Sequence, residues 1–95
     1  MTPQELLPVV LEVLREAQQL SGREWTPLAP DAKPIDVLDG FDSLAGVEAT
    51  VMIEEKLGTT LDIESVFVSE DGKKALTVKQ ICERLAKLIP VPDPV

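Results

Sequence analysis

The spacing of apolar residues predicts three main helices, and the first begins near the N-terminus. The segment Thr2-Pro3-Gln4-Glu5 is a capping box with proline in its first turn, which is typical of a helix start. Apolar positions then recur at helical spacing until Ser21-Gly22. Because Pro8 removes a backbone donor, we expect the helix to bend there or to begin nearer Leu7. The residues predicted to form its buried face are Leu6, Val10, Val13, Leu14, Ala17 and Leu20.

The second and third main helices carry clear signals at both ends. The second is predicted from Ser43 to Leu57, with Gly58 as its C-terminal cap. Its predicted core face holds Gly46, Ala49, Thr50, Ile53 and Leu57. The third opens on another capping box, Thr77-Val78-Lys79-Gln80, and is closed by Pro90. Its predicted inward face holds Val78, Ile81, Cys82, Leu85, Leu88 and Ile89.

Two connections join these helices. Residues 21–42 form a long first loop with three prolines, and loops of this length are often functional. In the second connection, Asp62 is expected to cap one or two helical turns between Leu61 and Phe67, and residues 68–75 are expected to form an exposed turn. The side chains expected to hold the first loop against the core are Trp25, Leu28, Ile35, Leu38 and Phe41.

These elements predict an all-α fold, a small four-helix bundle of three main helices and one short helix with a long first loop. No segment shows convincing strand alternation. We expect a single domain over residues 1–89 and a flexible, proline-rich tail over residues 90–95. Because Met1 is present and residues flank the domain on both sides, we expect a free-standing protein. We also expect a monomer.

The composition narrows the chemistry that the chain performs. Histidine is absent, which removes the usual general base and the serine triad as normally built. The single cysteine, Cys82, forms neither an internal disulfide nor a Cys-based zinc site, and its apolar helix face predicts a buried thiol. The adjacent carboxylates of Glu54 and Glu55 diverge by about 100° on a helix and do not converge on one substrate atom. We therefore expect neither an enzyme nor a metal site.

The charge is strongly negative and unevenly distributed. The net charge of −8 argues against nucleic acid and anionic membranes as partners. No apolar stretch is long enough to cross a bilayer, and no signal-peptide pattern is present, so we expect a cytoplasmic protein. Residues 31–71 hold eleven acids and two bases, whereas residues 72–95 hold two acids and five bases. The acidic block either attracts basic partners or merely aids solubility.

The acidic block surrounds the most informative segment, Asp39-Gly40-Phe41-Asp42-Ser43-Leu44. Ser43 stands at the start of the second predicted helix, behind an acidic turn. A helix N-terminus offers free backbone N–H groups and a partial positive charge, so a phosphate attached there is well placed. From these residues alone, Ser43 is either such a site or a plain N-cap, a role that serine fills well.

The segment from Asp39 to Leu57 resembles the acyl carrier protein family, the phosphopantetheine-binding carrier domains, in which an Asp-Ser-Leu motif carries 4′-phosphopantetheine on its serine. The resemblance implies an acyl-carrier fold, attachment of the arm to Ser43, and help from Asp42 in engaging a phosphopantetheinyl transferase and its magnesium. The arm would hold an acyl or polyketide group as a thioester. Its implied partners are an acyl-loading enzyme, a ketosynthase or other acyl-processing enzymes with basic docking surfaces, in fatty acid or polyketide biosynthesis.

The second main helix has a second apolar face, which a small bundle does not need. An apolar strip rimmed with carboxylates suits a partner with an apolar groove and a Lys/Arg rim, although scattered surface valines and leucines are normal. In the carrier family this helix is the recognition helix. The residues that the resemblance assigns to contacts with partner enzymes are Leu44, Val47, Glu48, Val51 and Glu54.

Some features depart from the family pattern. Ala45-Gly46 follows where many fatty-acid carriers have an acid, and Gly46 is expected to let another helix or an acyl chain approach closely. Thr50 places a hydroxyl on the core face, and the connection from Phe67 to Leu76 is longer than usual. These features argue against a housekeeping fatty-acid role. The alternatives are an unmodified acidic helical interaction module and a peptidyl or aminoacyl carrier of the same fold.

Overall fold

The computed structural model describes residues 2–89, which form a mostly helical small domain. Its helices in chain order are α1 (Pro3–Leu20), α2 (Pro34–Val37), α3 (Ser43–Leu57) and α4 (Val78–Leu88). In this part of the chain, β pairing is limited to an isolated antiparallel bridge between Val68 and Ala75. None of these helices combines the length and apolar character that crossing a bilayer requires. The predicted stop at Pro90 and the tail over residues 90–95 lie outside the described residues.

All three main helices begin at the predicted signals, and α1 and α3 also end at theirs. Thr2 and Glu5 form the capping box of α1, and Thr77 and Gln80 form that of α4, with all four hydrogen bonds between 2.9 and 3.2 Å. Gly58 ends α3 with a left-handed φ of 65°, which glycine adopts without steric cost. Because the capping box fixes the first turn of α1, the helix begins before the exposed Pro8 and continues through it. The alternative start near Leu7 is therefore wrong.

One hydrophobic core joins α1, α3, α4 and both connections. Phe41 of the first connection and Phe67 of the second meet edge to face, with ring centroids 5.3 Å apart. Leu38 and Phe41 are buried, and the other three predicted anchors of the first loop pack half-buried against the core. The buried hydrophobic side chains are those of Leu6, Val10, Val13, Leu14, Leu38, Phe41, Ala49, Ile53, Leu61, Val66, Phe67, Val78, Ile81, Cys82 and Leu85.

The buried face of α1 differs from the prediction at its C-terminal end. Leu20 is 81% exposed, whereas Gln18 is 1% exposed. Gln18 is tolerated inside because its Nε2 donates hydrogen bonds to two backbone oxygens, those of Glu24 and Asp39, both at 2.9 Å. Leu20 is the last residue of α1, where the chain leaves the helix, and its side chain remains outside the core.

The short helix lies in a different connection from the one predicted. Between Leu61 and Phe67 the chain is irregular, because Asp62 has a left-handed φ of 58° and does not start a right-handed turn. The segment still turns Val66 and Phe67 inward, as predicted. The short helix is α2 in the first loop, where Pro34 presets the helical φ at the first turn.

The first connection also contacts the beginning of α4 through backbone hydrogen bonds. The Val78 N–H donates to the Ala32 oxygen and the Lys79 N–H donates to the Pro30 oxygen, both at 2.9 Å. These bonds satisfy two of the N–H groups that a helix start leaves without intrahelical partners. The long loop is therefore attached to α4 as well as to the core.

Candidate functional site

The turn that precedes Ser43 is fixed by hydrogen bonds from a side chain of α1 and from a side chain just after α1. Gln18 donates a hydrogen bond to the Asp39 oxygen, and the Arg23 guanidinium donates one to the Gly40 oxygen. Gly40 has a left-handed φ of 66°, and a Cβ at this position would lie 2.7 Å from Arg23 Nε. Behind the turn, Phe41 is buried in the core. The backbone path into α3 is thus fixed by side chains outside the motif.

Ser43 is the first residue of α3, and the helix is capped by the residue before it. The Asp42 carboxylate accepts a hydrogen bond from the Ala45 N–H at 2.9 Å, so the interpretation of Ser43 as the N-cap is wrong. The Ser43 side chain is exposed, and within residues 2–89 its hydroxyl forms no hydrogen bond. In the same part of the chain, the N–H groups of Ser43 and Leu44 also have no partner. These groups lie at the positive end of the helix.

A cleft of about 590 Å³ opens beside Ser43, between the start of α3, the second connection and α4. Its apolar lining includes Val47 of α3, Val68 of the connection and Leu88 of α4. Arg84 lines it as well and donates hydrogen bonds to the backbone oxygens of Ser65 and Val68, which fixes that wall. The other lining residues are Ile63, Glu64, Ser65, Ser69, Glu70, Gly72 and Lys87.

Beside the cleft, α3 and the second connection are in close contact. Thr50 Oγ1 donates to the Gly46 oxygen at 2.7 Å and accepts from the Val66 N–H at 3.1 Å. A Cβ at Gly46 would lie 3.2 Å from Ser65 Oγ and 3.6 Å from the Phe67 side chain. The close approach expected at Gly46 is therefore made by this connection rather than by another helix, and it explains the buried Thr50 hydroxyl.

The residues predicted to contact partner enzymes do not share one surface. Leu44 and Val51 are 67% and 48% exposed and form the outer ridge of α3, whereas Val47 is half-buried and lines the cleft. Glu48 is exposed. The Glu54 carboxylate accepts a hydrogen bond from the Leu61 N–H at 2.8 Å, so it also holds the start of the second connection. The partner assignment of these residues remains a prediction.

Residues that shape the site but escaped the sequence analysis are Gln18, Arg23, Ser65 and Arg84. Gln18 had a signal, because it is a polar residue one turn after Leu14 on the apolar face of α1. Arg23 and Arg84 had none, since both donate to loop carbonyls whose positions follow from the folded chain.

Cys82 is buried, as predicted, and it does not line the cleft beside Ser43. Burial raises the pKa of the Cys82 thiol, and the nearby Glu83 carboxylate raises it further. A thiol with a raised pKa remains protonated at neutral pH and is a poor nucleophile. Cys82 therefore belongs to the core rather than to a reactive site.

Comparisons of this chain with protein-family models, curated proteins and solved structures found no match. The function is therefore inferred from the residues, their geometry and the resemblance of the motif.

Proposed function

We propose that this chain is an acyl carrier protein of the four-helix acyl-carrier fold. Ser43 holds a 4′-phosphopantetheine arm, whose terminal thiol supplies the thioester that carries an acyl or polyketide group. The observation that supports this function best is the exposed, uncommitted Ser43 hydroxyl at the start of α3, with Asp42 acting as the cap. Had the serine been the cap, its oxygen would be engaged by the backbone.

The residues at the start of α3 fit a phosphodiester. The exposed Ser43 oxygen is accessible to a transferase, and the N–H groups of Ser43 and Leu44 have no partner within residues 2–89. These N–H groups lie at the positive end of α3, which would stabilise the negative charge of an attached phosphate by about 0.3–1 kcal/mol. Asp42 lies next to the attachment point and would help the transferase and its magnesium to engage the serine.

The surroundings of Ser43 suit delivery of the cargo to other enzymes. Leu44 and Val51 are exposed, and Glu48 beside them carries a negative charge. An apolar ridge with a carboxylate rim favours basic docking surfaces, such as those of an acyl-loading enzyme or a ketosynthase. In this proposal the chain works as a cytoplasmic monomer and performs no catalysis itself.

The test is an intact-mass measurement after incubation with coenzyme A, magnesium and a broad-specificity phosphopantetheinyl transferase. We expect wild type to gain one phosphopantetheine and Ser43→Ala to gain none. Ser65→Ala is the matched control, because Ser65 lines the same cleft but is buried and accepts a hydrogen bond from Phe67. Attachment to Ser43→Ala, or no attachment to wild type with several transferases, would refute the proposal.

A second candidate function is an unmodified acidic interaction module, favoured by the exposure of Leu44 and Val51. If a pull-down recovers the same partners with wild type and Ser43→Ala, and no modified form is present, the module is the better account. A peptidyl or aminoacyl carrier of the same fold would show the mass gain but would be loaded by an amino-acid-activating enzyme.

A further inference from the structure

We infer that the docking surface for enzymes that act at Ser43 extends from α3 onto the last turn of α1, where Leu20 is an apolar anchor. The inference rests on the proposed function, which makes Ser43 a residue that other enzymes must reach. The additional contact lies on α1, outside α3.

The first observation is the exposure of Leu20, which at 81% exceeds that of every other large hydrophobic side chain among the described residues. The core does not need this side chain, because Gln18 occupies the buried position in the last turns of α1 and has both its hydrogen-bond partners. Leu20 therefore has an apolar surface that residues 2–89 leave uncovered.

The second observation is the position of Leu20 beside α3. A depression of about 70 Å³ lies between Leu20 and the helix, and its α3 wall consists of Ala45, Glu48 and Met52. The depression has about the room of two water molecules, at about 30 Å³ each in the liquid. A branched apolar group next to Leu20 would fill it.

The third observation is the arrangement of side chains around α3. On a helix, Ser43 and Val47 share one side, Ala45 and Met52 share another, and the exposed ridge of Leu44 and Val51 separates them. An enzyme that reaches Ser43 on one flank and extends over this ridge would meet the depression and Leu20 on the other.

The charges around Leu20 define the chemistry of the partner. Glu48 lines the depression on one side of Leu20, and Glu16 lies beside Leu20 on the other. Glu16 shares the Lys56 ammonium with Glu12, each at 3.3 Å, so these two carboxylates have one cation between them. Arg23 also lines the depression and donates a hydrogen bond to the Gly40 oxygen in the turn before Ser43. The surface therefore fits an enzyme that presents an apolar socket next to Lys or Arg. A second copy of this chain would bring two surfaces with an excess of carboxylates together and fits less well.

The experiment measures kcat and KM for attachment of phosphopantetheine by a broad-specificity transferase. We expect Leu20→Ser to lower kcat/KM by about fivefold or more, through a higher KM, because truncating an interface anchor weakens binding without touching the reacting atoms. Leu20→Met retains an apolar side chain and should remain within about twofold of wild type. Gln19→Ser, an exposed change in the same turn of α1, should also remain within about twofold.

The outcomes separate this inference from the function on which it rests. If wild type and Leu20→Ser are modified with the same kcat/KM, the anchor is refuted and the carrier function stands. If Gln19→Ser is as slow as Leu20→Ser, the effect belongs to the helix end and the anchor is again refuted. If wild type is not modified at all, the carrier function fails and this inference fails with it.

Discussion

At the scale of single residues, the turn before Ser43 depends on a glycine. Gly40 has a φ of 66°, and an added Cβ would press against Arg23, which bonds the Gly40 oxygen. We expect Gly40→Ala to lower the free energy of unfolding by about 2–3 kcal/mol, from about 1–2 kcal/mol of left-handed strain and about 1 kcal/mol of lost hydrogen bonding. Urea denaturation measures this change.

Gly22→Ala is the matched control for Gly40→Ala. Gly22 has a similar φ of 68°, but a Cβ there would meet no atom within 4 Å, so only the backbone strain of about 1–2 kcal/mol should appear. Introducing Arg23→Ala should reduce the additional cost at Gly40. Equal losses for the two glycine variants would show that Arg23 does not restrain the turn.

Single residues also show where the sequence is informative. The position of Ser43 at the start of α3, its exposure and most core positions could be predicted, because capping chemistry and helical spacing act locally. Gln18 is visible on the apolar face of α1, but the burial of Gln18 and the exposure of Leu20 could not be predicted, because they depend on where the first connection places the oxygens of Glu24 and Asp39. Helical periodicity predicts Leu20 in the core, because it does not show where the end of a helix extends beyond the residues that pack against it.

At the scale of elements, side-chain carboxylates form hydrogen bonds with backbone N–H groups at the start of α3 and near its end. Asp42 caps its start, and near its end Glu54 accepts the hydrogen bond from the Leu61 N–H. We expect Glu54→Ala to speed hydrogen exchange at the Leu61 amide by about fivefold, as the loss of one hydrogen bond of about 1 kcal/mol implies. Amide exchange followed by NMR measures it.

Two variants control for Glu54→Ala. Glu54→Gln keeps an acceptor oxygen and should preserve most of the protection at Leu61. Glu55→Ala removes a carboxylate at an exposed neighbouring position and should leave the exchange rate unchanged. Unaltered exchange in Glu54→Ala would mean that the carboxylate is available to partners, as the family resemblance implies.

Elements with local end signals were predicted, and the short helix was not. The capping boxes at Thr2 and Thr77 and the glycine at Gly58 fix their helices from neighbouring residues alone. Both connections carry a possible start signal, Pro34 in the first and Asp62 in the second, so these residues do not decide between them. In the folded chain Asp62 has a left-handed φ of 58°, which does not start a right-handed turn.

At the scale of the whole molecule, the two charge blocks meet at the cleft. Glu64 and Glu70 from the acidic block and Arg84 and Lys87 from the basic block line it together. The cleft beside Ser43 is therefore polar at its rim on both sides, with apolar side chains between. Its carboxylates and cations would meet any polar cargo that enters it.

The stability of the whole domain depends on the protonation of Cys82. Its pKa is raised in the folded protein above the ordinary value of 9.0, so near and above pH 9 the folded chain binds more protons than the unfolded chain. The stabilisation is complete below pH 9 and is lost as the pH rises through the folded-state pKa. We expect the free energy of unfolding of wild type to fall more steeply above pH 9 than that of Cys82→Ala, measured by urea denaturation. Parallel pH profiles would contradict this.

The hydrogen bonds from the start of α4 to the first connection also affect the order of events during synthesis. The oxygens of Pro30 and Ala32 acquire their partners only when Val78 and Lys79 have left the ribosome. Until then the connection that leads to the turn before Ser43 lacks both these bonds and the α4 side of the core. The nascent chain would therefore present Ser43 on an unfinished surface until α4 has been made.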